Sequence, residues 1–331
     1  MLEEIIFMKT QAIILESQGG PEVMQLKTIE VKEPSEGEIL IEQTAIGLNY
    51  MDVYQRSGFY KMQTPMYLGL EAAGTVIKIG SGVSQLSIGD RVCYGPNIGA
   101  YAKHRLLPAA RAVKIPDSVS DKLAAAVLMK GMTVEYLLCR TYPVKAGETV
   151  LFYAASGGVG HIAGQWGKHI GATMIGVTSG PNNCASILQY GYEYALDRKA
   201  DDIAARVREI TRGKGVPVLY DSVGKDSFEA SLKSLSPRGF FISFGATTGE
   251  APAVTPSQLQ HNGSLYFCRP SLANYVGTLD ELQMSANKVF ALLAEGVLKV
   301  SIDREENLSD IIELHRDLEA GITTGSTIII P

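Results

Sequence analysis

Six residues, Ala155-Ser156-Gly157-Gly158-Val159-Gly160, have the types and spacing of a phosphate cradle. Side chains this small let the main chain approach an anion, and the N–H groups of the turn and of a following helix then donate to it. The frame is G-x-G-x-x-G with alanine in first place, so Ala155 fits a tight turn only with a negative φ. Such a turn needs a strand before it and a helix after it. The apolar run 150–153 reads as a buried strand, and Val159, Ile162, Ala163, Trp166 and Ile170 recur at helical spacing until Gly171. A second strand over 174–178 closes a βαβ unit, and the pyrophosphate of a dinucleotide is the ligand such a unit takes.

A second group of chemistry-bearing residues lies earlier. Residues 47–58 read as a short helix carrying Asn49, Asp52 and Tyr54, a polar and aromatic interruption among strands. Elsewhere the usual reactive patterns are missing. Cys93, Cys139, Cys184 and Cys268 form no C-x-x-C pair, and the five histidines stand at no ligand spacing, which argues against a zinc lobe or a disulfide framework. No G-x-S-x-G elbow occurs, so a hydrolase is disfavoured. The formal charge of −5 disfavours nucleic acid as the main partner, and the basic residues of 199–214 are interleaved with acids on a solvated helix face. No run approaches the length of a membrane span and the N-terminus lacks a basic leader region, so a soluble, cytoplasmic protein without a membrane partner is expected. Whether residues 1–7 are native is left open by the sequence.

The 331 residues, 46% of them hydrophobic, can fill two cores. Short β-patterned runs at 11–15, 39–45, 73–79, 91–94 and 100–107, separated by Gly-rich turns, predict a partly open barrel. From 120 to 138 the apolar spacing turns helical and bridges to a second region. There strands at 150–153, 174–178, 195–197, 218–221 and 240–244 alternate with helices, which predicts a doubly wound parallel sheet. A further run at 264–268 reads as an edge strand, helices are expected over 282–295 and 308–320, and the β-branched run 326–330 must be buried by returning to the first domain.

These blocks resemble the zinc-independent quinone oxidoreductase (zeta-crystallin-like) branch of the medium-chain dehydrogenase/reductase family. The resemblance covers about residues 9–331 and rests on Gly20-Pro-Glu-Val, Ala45-Ile-Gly-Leu-Asn-Tyr-Met-Asp-Val-Tyr54, Gly69-Leu-Glu-Ala-Ala-Gly-Thr-Val, Lys130-Gly-Met-Thr, the glycine turn, Tyr220-Asp-Ser-Val-Gly, Arg269-Pro-Ser-Leu and Gly325-Ser-Thr-Ile-Ile-Ile-Pro. It implies an α/β chain: a GroES-like, partly open β-barrel catalytic domain from 1–128 and 273–331, with an NADPH-binding Rossmann domain over 129–272. Zinc relatives place a cysteine near Asn49 and a histidine where this chain has Leu70 in Gly69-Leu70-Glu71. Leucine offers a metal no lone pair, so no metal ligands are assigned and no zinc is expected. Glu71 is then read as a hydrogen-bonding residue.

The resemblance implies a quinone reductase working by hydride transfer in an interdomain cleft. The alternatives are a reductase of α,β-unsaturated carbonyls and a non-catalytic NADPH-binding protein. It places Asn49, Tyr54 and Tyr60 on the substrate side, where N–H and O–H groups would polarise a carbonyl, unless the two tyrosines only shape an aromatic slot. It places Gly157, Gly158, Val159 and Gly160 at the pyrophosphate, Ser179 and Gly180 beside the adenosine ribose, and Phe244, Gly245 and Ala246 on the nicotinamide side. Thr133 and Tyr136, with Arg269, Pro270, Ser271 and Leu272, complete the cofactor set. No Asp or Glu lies between Gly160 and Tyr192, which favours NADPH over NADH. Asn183 and Gly321 stand where relatives carry phosphate-binding cations, and Arg198 is the substitute expected at the 2′-phosphate. A homodimer pairing through 264–268 is expected.

Overall fold

Thr10 and Ala12 are buried on one face and Ile13 and Leu15 on the other along β1 (Met8–Leu15) in the computed structural model, which describes residues 8–331. The question of whether residues 1–7 are native lies outside the described residues. The chain then forms β2 (Met24–Val31), β3 (Glu38–Gly47), α1 (Tyr50–Ser57), β4 (Met66–Tyr67), β5 (Glu71–Ile79), β6 (Arg91–Tyr94), β7 (His104–Pro108) and β8 (Val113–Lys114). Helix α2 (Asp121–Glu135) follows and runs on into a π-helical turn at Tyr136–Thr141.

From there strand and helix alternate: β9 (Thr149–Tyr153), α3 (Gly158–Ile170), β10 (Thr173–Thr178), α4 (Pro181–Ile187), β11 (Tyr194–Asp197), α5 (Ile203–Ile210), β12 (Val216–Asp221), α6 (Phe228–Ser234) and β13 (Leu235–Ser243). After α7 (Pro256–His261) and β14 (Tyr266–Cys268) come α8 (Leu272–Tyr275), α9 (Leu279–Ala294), β15 (Ile302–Asn307), α10 (Ile311–Glu319) and β16 (Ser326–Ile330).

Two units result. The first contains the residues up to Met129 with Val276–Phe290 and Val300–Pro331; the second contains Lys130–Tyr275 and Ala291–Lys299. In the first unit a three-stranded sheet, order β2-β1-β4, accompanies a larger one, order β15-β16-β3-β5-β6-β8, with β7 also paired to β3. Its core is aliphatic with Tyr94 and Tyr101 inside, and the terminal strand joins it by antiparallel pairing of Ile328 and Ile329 with Gly47 and Ile46. β15 is a strand the sequence conceals: its Asp303, Arg304, Glu305 and Glu306 have low strand propensity, and parallel pairing with β16 makes them a strand.

The second unit is a six-stranded sheet in the order β11-β10-β9-β12-β13-β14, every neighbouring pair parallel. β14 is its edge. The chain steps outward from β9 in one direction through β10 and β11 and in the other through β12, β13 and β14. The order therefore reverses between β9 and β12, and the carboxyl ends of the strands flank the crevice in which such sheets bind ligands.

Candidate functional site

Because all six strands of the second unit run the same way, their carboxyl ends lie along one rim. That rim gathers the residues the sequence scatters over more than a hundred positions: Arg198 after β11, Ser179, Gly180 and Asn183 after β10, Gly157 to Gly160 after β9, Phe244 to Ala246 after β13, and Arg269 to Leu272 after β14. Thr133 and Tyr136 lie on α2 and the turn that continues it.

The turn after β9 is built as a cradle. Gly157 is the N-cap of α3 with an extended backbone, φ −82°, and its N–H is held by Ala154 O at 3.0 Å. A Cβ on Gly160 would stand 2.5 Å from both Ala154 O and Ala155 O, so only glycine lets α3 pack this closely on the turn. The left-handed conformation falls on Ala154, φ 52°, while Ala155 keeps the negative φ its place in the frame requires. A non-glycine residue in that region stores backbone strain at the site. Ser156 Oγ and Thr178 Oγ1 are 2.7 Å apart, which ties the turn to the end of β10. The first N–H groups of α3 have no intrahelical acceptor.

At the end of β10 two side chains converge on Ser179. Arg198 Nε donates to its Oγ at 2.6 Å, and Asn183 Nδ2 donates to its carbonyl at 2.9 Å. Asp197, next to Arg198, is the acid of this corner. Its carboxylate accepts the N–H groups of Gly180 and Lys199, which hold its pKa below the usual value. Asn183 is thus a brace, while the planar fork of Arg198 is aimed by Ser179.

The middle of the rim contains residues the sequence reading passed over. Asp221, fully buried at the end of β12, accepts from Val223 N (2.7 Å), Gly224 N (3.2 Å), Ser227 Oγ (2.6 Å) and Ser231 Oγ (3.1 Å). Burial pushes its pKa up in spite of these bonds. Its carbonyl also receives Phe244 N at 2.8 Å and Gly245 N at 3.3 Å, so one residue holds the two turns beside the β9 cradle. A Cβ on Gly245 would meet Ser222 Cβ at 2.7 Å. Arg269 Nη1 adds a brace to Gly245 O (2.7 Å) and Ser243 Oγ (3.2 Å). The signal was the Tyr220-Asp-Ser-Val-Gly block itself: a lone acid closing an apolar strand before a small-residue turn. Tyr136 is buried and stacked on Tyr275 with ring centroids 4.6 Å apart, and Leu272 is buried as well.

The first unit holds Asn49, Tyr54 and Tyr60. Asn49 caps α1 in a capping box with Asp52, whose carboxylate takes the Asn49 N–H at 2.9 Å. The side-chain amide of Asn49 also donates to Glu71 Oε1 at 2.8 Å and to Gly47 O at 3.3 Å. Tyr54 sits at the centre of an aromatic group, with ring centroids 5.0 Å from Tyr50, 4.8 Å from Phe59 and 5.7 Å from Tyr60. Tyr54 is buried, whereas Tyr60 is 37% exposed. Phe59 was missed from the sequence because it lies past the helix end; Gly58, at φ 86°, turns it back onto Tyr54. Among the described residues no group of three or more His, Cys, Asp or Glu is placed to hold a metal ion.

Known proteins share this fold. The family described as "Alcohol dehydrogenase GroES-like domain" matches residues 35–117, and the family described as "Zinc-binding dehydrogenase" matches residues 158–282. A quinone oxidoreductase of Salmonella typhimurium is 44% identical over 317 residues, 95% of this chain and 97% of that protein. The chain belongs to the quinone oxidoreductase branch of the medium-chain dehydrogenase/reductase family. The crystal structure of Escherichia coli quinone oxidoreductase complexed with NADPH superposes with a TM-score of 0.95 at 42% identity, covering 97% of this chain and 100% of that one. A 2-haloacrylate reductase from Burkholderia, 36% identical over 97% of this chain and 98% of its own length, belongs to the same set of relatives. Family membership accounts for the parallel rim and the GroES-like sheets together.

Proposed function

We propose that this chain is an NADPH-dependent, metal-free reductase of quinones. The observation that carries the reading is the glycine cradle at 154–160, closed to any side chain at Gly160, beside a β10 end where Ser179, not an acid, follows the strand and receives Arg198 from the end of β11. The N–H groups of Gly158, Val159 and Gly160 suit a pyrophosphate that the bare main chain of Gly157 lets approach, the Arg198 fork suits a 2′-phosphate, and Ser179 with Gly180 borders the ribose. Phe244, Gly245 and Ala246, with Arg269, Pro270, Ser271 and Leu272, form the nicotinamide side; Thr133 and Tyr136 contribute from α2 and its continuation. When bound there, NADPH supplies a hydride.

Tyr54 and Tyr60 offer phenolic O–H groups to a quinone oxygen, and the rings around Tyr54 give a planar ring a face to lie on. Asn49, its amide hydrogens already donated, holds the start of α1 instead of polarising a carbonyl. Leu70, standing where zinc relatives ligate, presents only carbon, so charge arriving on the substrate must be stabilised by hydrogen bonds and spread over its own conjugated system. Reduction of an activated enone is the second reading, favoured by the 2-haloacrylate reductase among the relatives.

We also propose a homodimer. Tyr266 on edge strand β14 is 55% exposed and stacks on Phe240 at 4.5 Å, a flat, apolar edge that a second copy would cover across a two-fold axis. No helix among the described residues is long and apolar enough to cross a membrane. The free thiols of Cys93, Cys139, Cys184 and Cys268 fit the reducing cytoplasm. The functional reading is tested by following NADPH consumption with 1,4-benzoquinone and a simple enone side by side: quinone turnover supports it, faster enone turnover supports the second reading, and NADPH binding without turnover defeats both.

A further inference from the structure

We infer that Glu71 is a positioning residue of the substrate side, fixing which way the Asn49 amide faces and thereby how α1 presents its aromatic residues. The inference rests on the reading of this chain as a quinone reductase. Glu71 opens β5 and is fully buried. Its Oε1 accepts from Asn49 Nδ2 at 2.8 Å and its Oε2 accepts the Met129 N–H of α2 at 2.9 Å. The carboxylate lies against bare main chain, because a Cβ on Gly47 would sit 2.5 Å from Oε1.

A carboxylate only accepts, so the NH2 of Asn49 must face Glu71 and its Oδ1 must face the α1 N-terminus, where the capping box closes with Asp52. The amide orientation is thus set from two sides. Little more than one turn further on, the same helix carries Tyr54 into the ring cluster. Glu71 connects α2 to α1 through Asn49.

Glu71→Gln inverts the arrangement. The introduced glutamine has one oxygen for the two donors that Glu71 serves, and with that oxygen on the Met129 N–H its NH2 meets the NH2 of Asn49, donor against donor. Asn49 must then flip and give up its cap, or lose the bond. Adding Asn49→Asp repairs this, because the introduced carboxylate accepts from the glutamine NH2 and can still cap α1.

The experiment compares wild type, E71Q and N49D/E71Q. It measures kcat and KM for 1,4-benzoquinone, the Kd for NADPH by fluorescence titration, and exchange protection of the Asn49 side-chain amide by NMR in wild type and E71Q. In E71Q, kcat/KM for the quinone should fall at least ~10-fold with NADPH Kd within about 2-fold of wild type, and the amide protection should be lost. In N49D/E71Q, kcat/KM should return to within about 3-fold of wild type, since the bond between positions 49 and 71 again joins a donor to an acceptor. Wild-type kcat/KM and amide protection in E71Q, or a double variant no better than the single one, overturns the inference. Should E71Q fail to fold, recovery in the double variant still supports it and an inactive double variant still overturns it. A wild type that binds NADPH but does not turn over quinone defeats the functional reading alone, and the amide protection then decides the role of Glu71.

Discussion

The phenol of Tyr54 and the guanidinium of Arg198 are the two groups whose proposed roles a single substitution tests most directly. Tyr54 is buried among three rings, so removing its hydroxyl leaves the packing in place; if it donates to the quinone oxygen, Tyr54→Phe should lower kcat by about 10²-fold with little change in Tm. Steady-state kinetics beside a thermal melt checks this, and an unchanged kcat would leave Tyr54 as one wall of an aromatic slot. Arg198 is oriented by Ser179 rather than by a carboxylate, so Arg198→Ala should raise KM for NADPH by roughly 10- to 100-fold and that for NADH by less than about 2-fold. Equal effects on the two coenzymes would remove Arg198 from the 2′-phosphate. The residue types were legible in the sequence, but their partners were not. Asn49 read as a donor to substrate because its Glu71 partner stands 22 positions away on another element, and nothing local in the sequence marks that bond.

At the scale of elements, the βαβ unit was legible because three signals agree: an apolar strand, glycines where the backbone must come close, and an apolar helical stripe ending at Gly171. Gly160→Ala tests the tightest point. Two carbonyl oxygens at 2.5 Å from the new Cβ should force α3 off the turn, lowering stability by about 1–3 kcal/mol and weakening NADPH binding. A melt and a coenzyme titration measure the two effects, and unchanged values in both would mean that the turn has slack the contacts do not show. The acid response belongs to this scale too. His315 on α10 is fully buried, its Nε2 3.1 Å from the Tyr101 hydroxyl. That hydroxyl donates its one proton to Asp52 Oδ2 at 2.8 Å, so His315 must be the donor through Nε2. Burial, with a smaller effect from the Arg56 charge, depresses the His315 pKa from 6.5 to about 3. Below the unfolded value the unfolded chain gains a proton that the folded chain refuses. Stability should therefore be fully present above about pH 6.5 and fall by about 1.4 kcal/mol per pH unit toward pH 3. His315→Gln should flatten that slope in denaturant titrations between about pH 4 and pH 6; a slope identical to wild type would mean that other groups carry the acid response.

For the whole molecule, alternation of strand and helix was enough to foresee the parallel sheet, and short strands between glycine turns were enough to foresee the barrel-like unit. Strand β15 escaped because its stability comes from pairing with β16, and the bracing of the rim by Asp221 escaped because it joins turns more than twenty residues apart. The apolar β14 edge leads to an expectation for assembly: light scattering should give twice the mass of a 35.6 kDa chain, and Tyr266→Lys should shift it toward the monomer. A monomeric wild type would leave that edge open.

The most direct measurement is the initial rate of NADPH oxidation by the purified protein with 1,4-benzoquinone, in buffer containing a strong zinc chelator and again with NADH. The expected result is quinone-dependent turnover that the chelator leaves unchanged and that favours NADPH by at least about tenfold in kcat/KM. No turnover with the quinone, or activity that vanishes with the chelator and returns with zinc, would contradict a metal-free NADPH-dependent reductase.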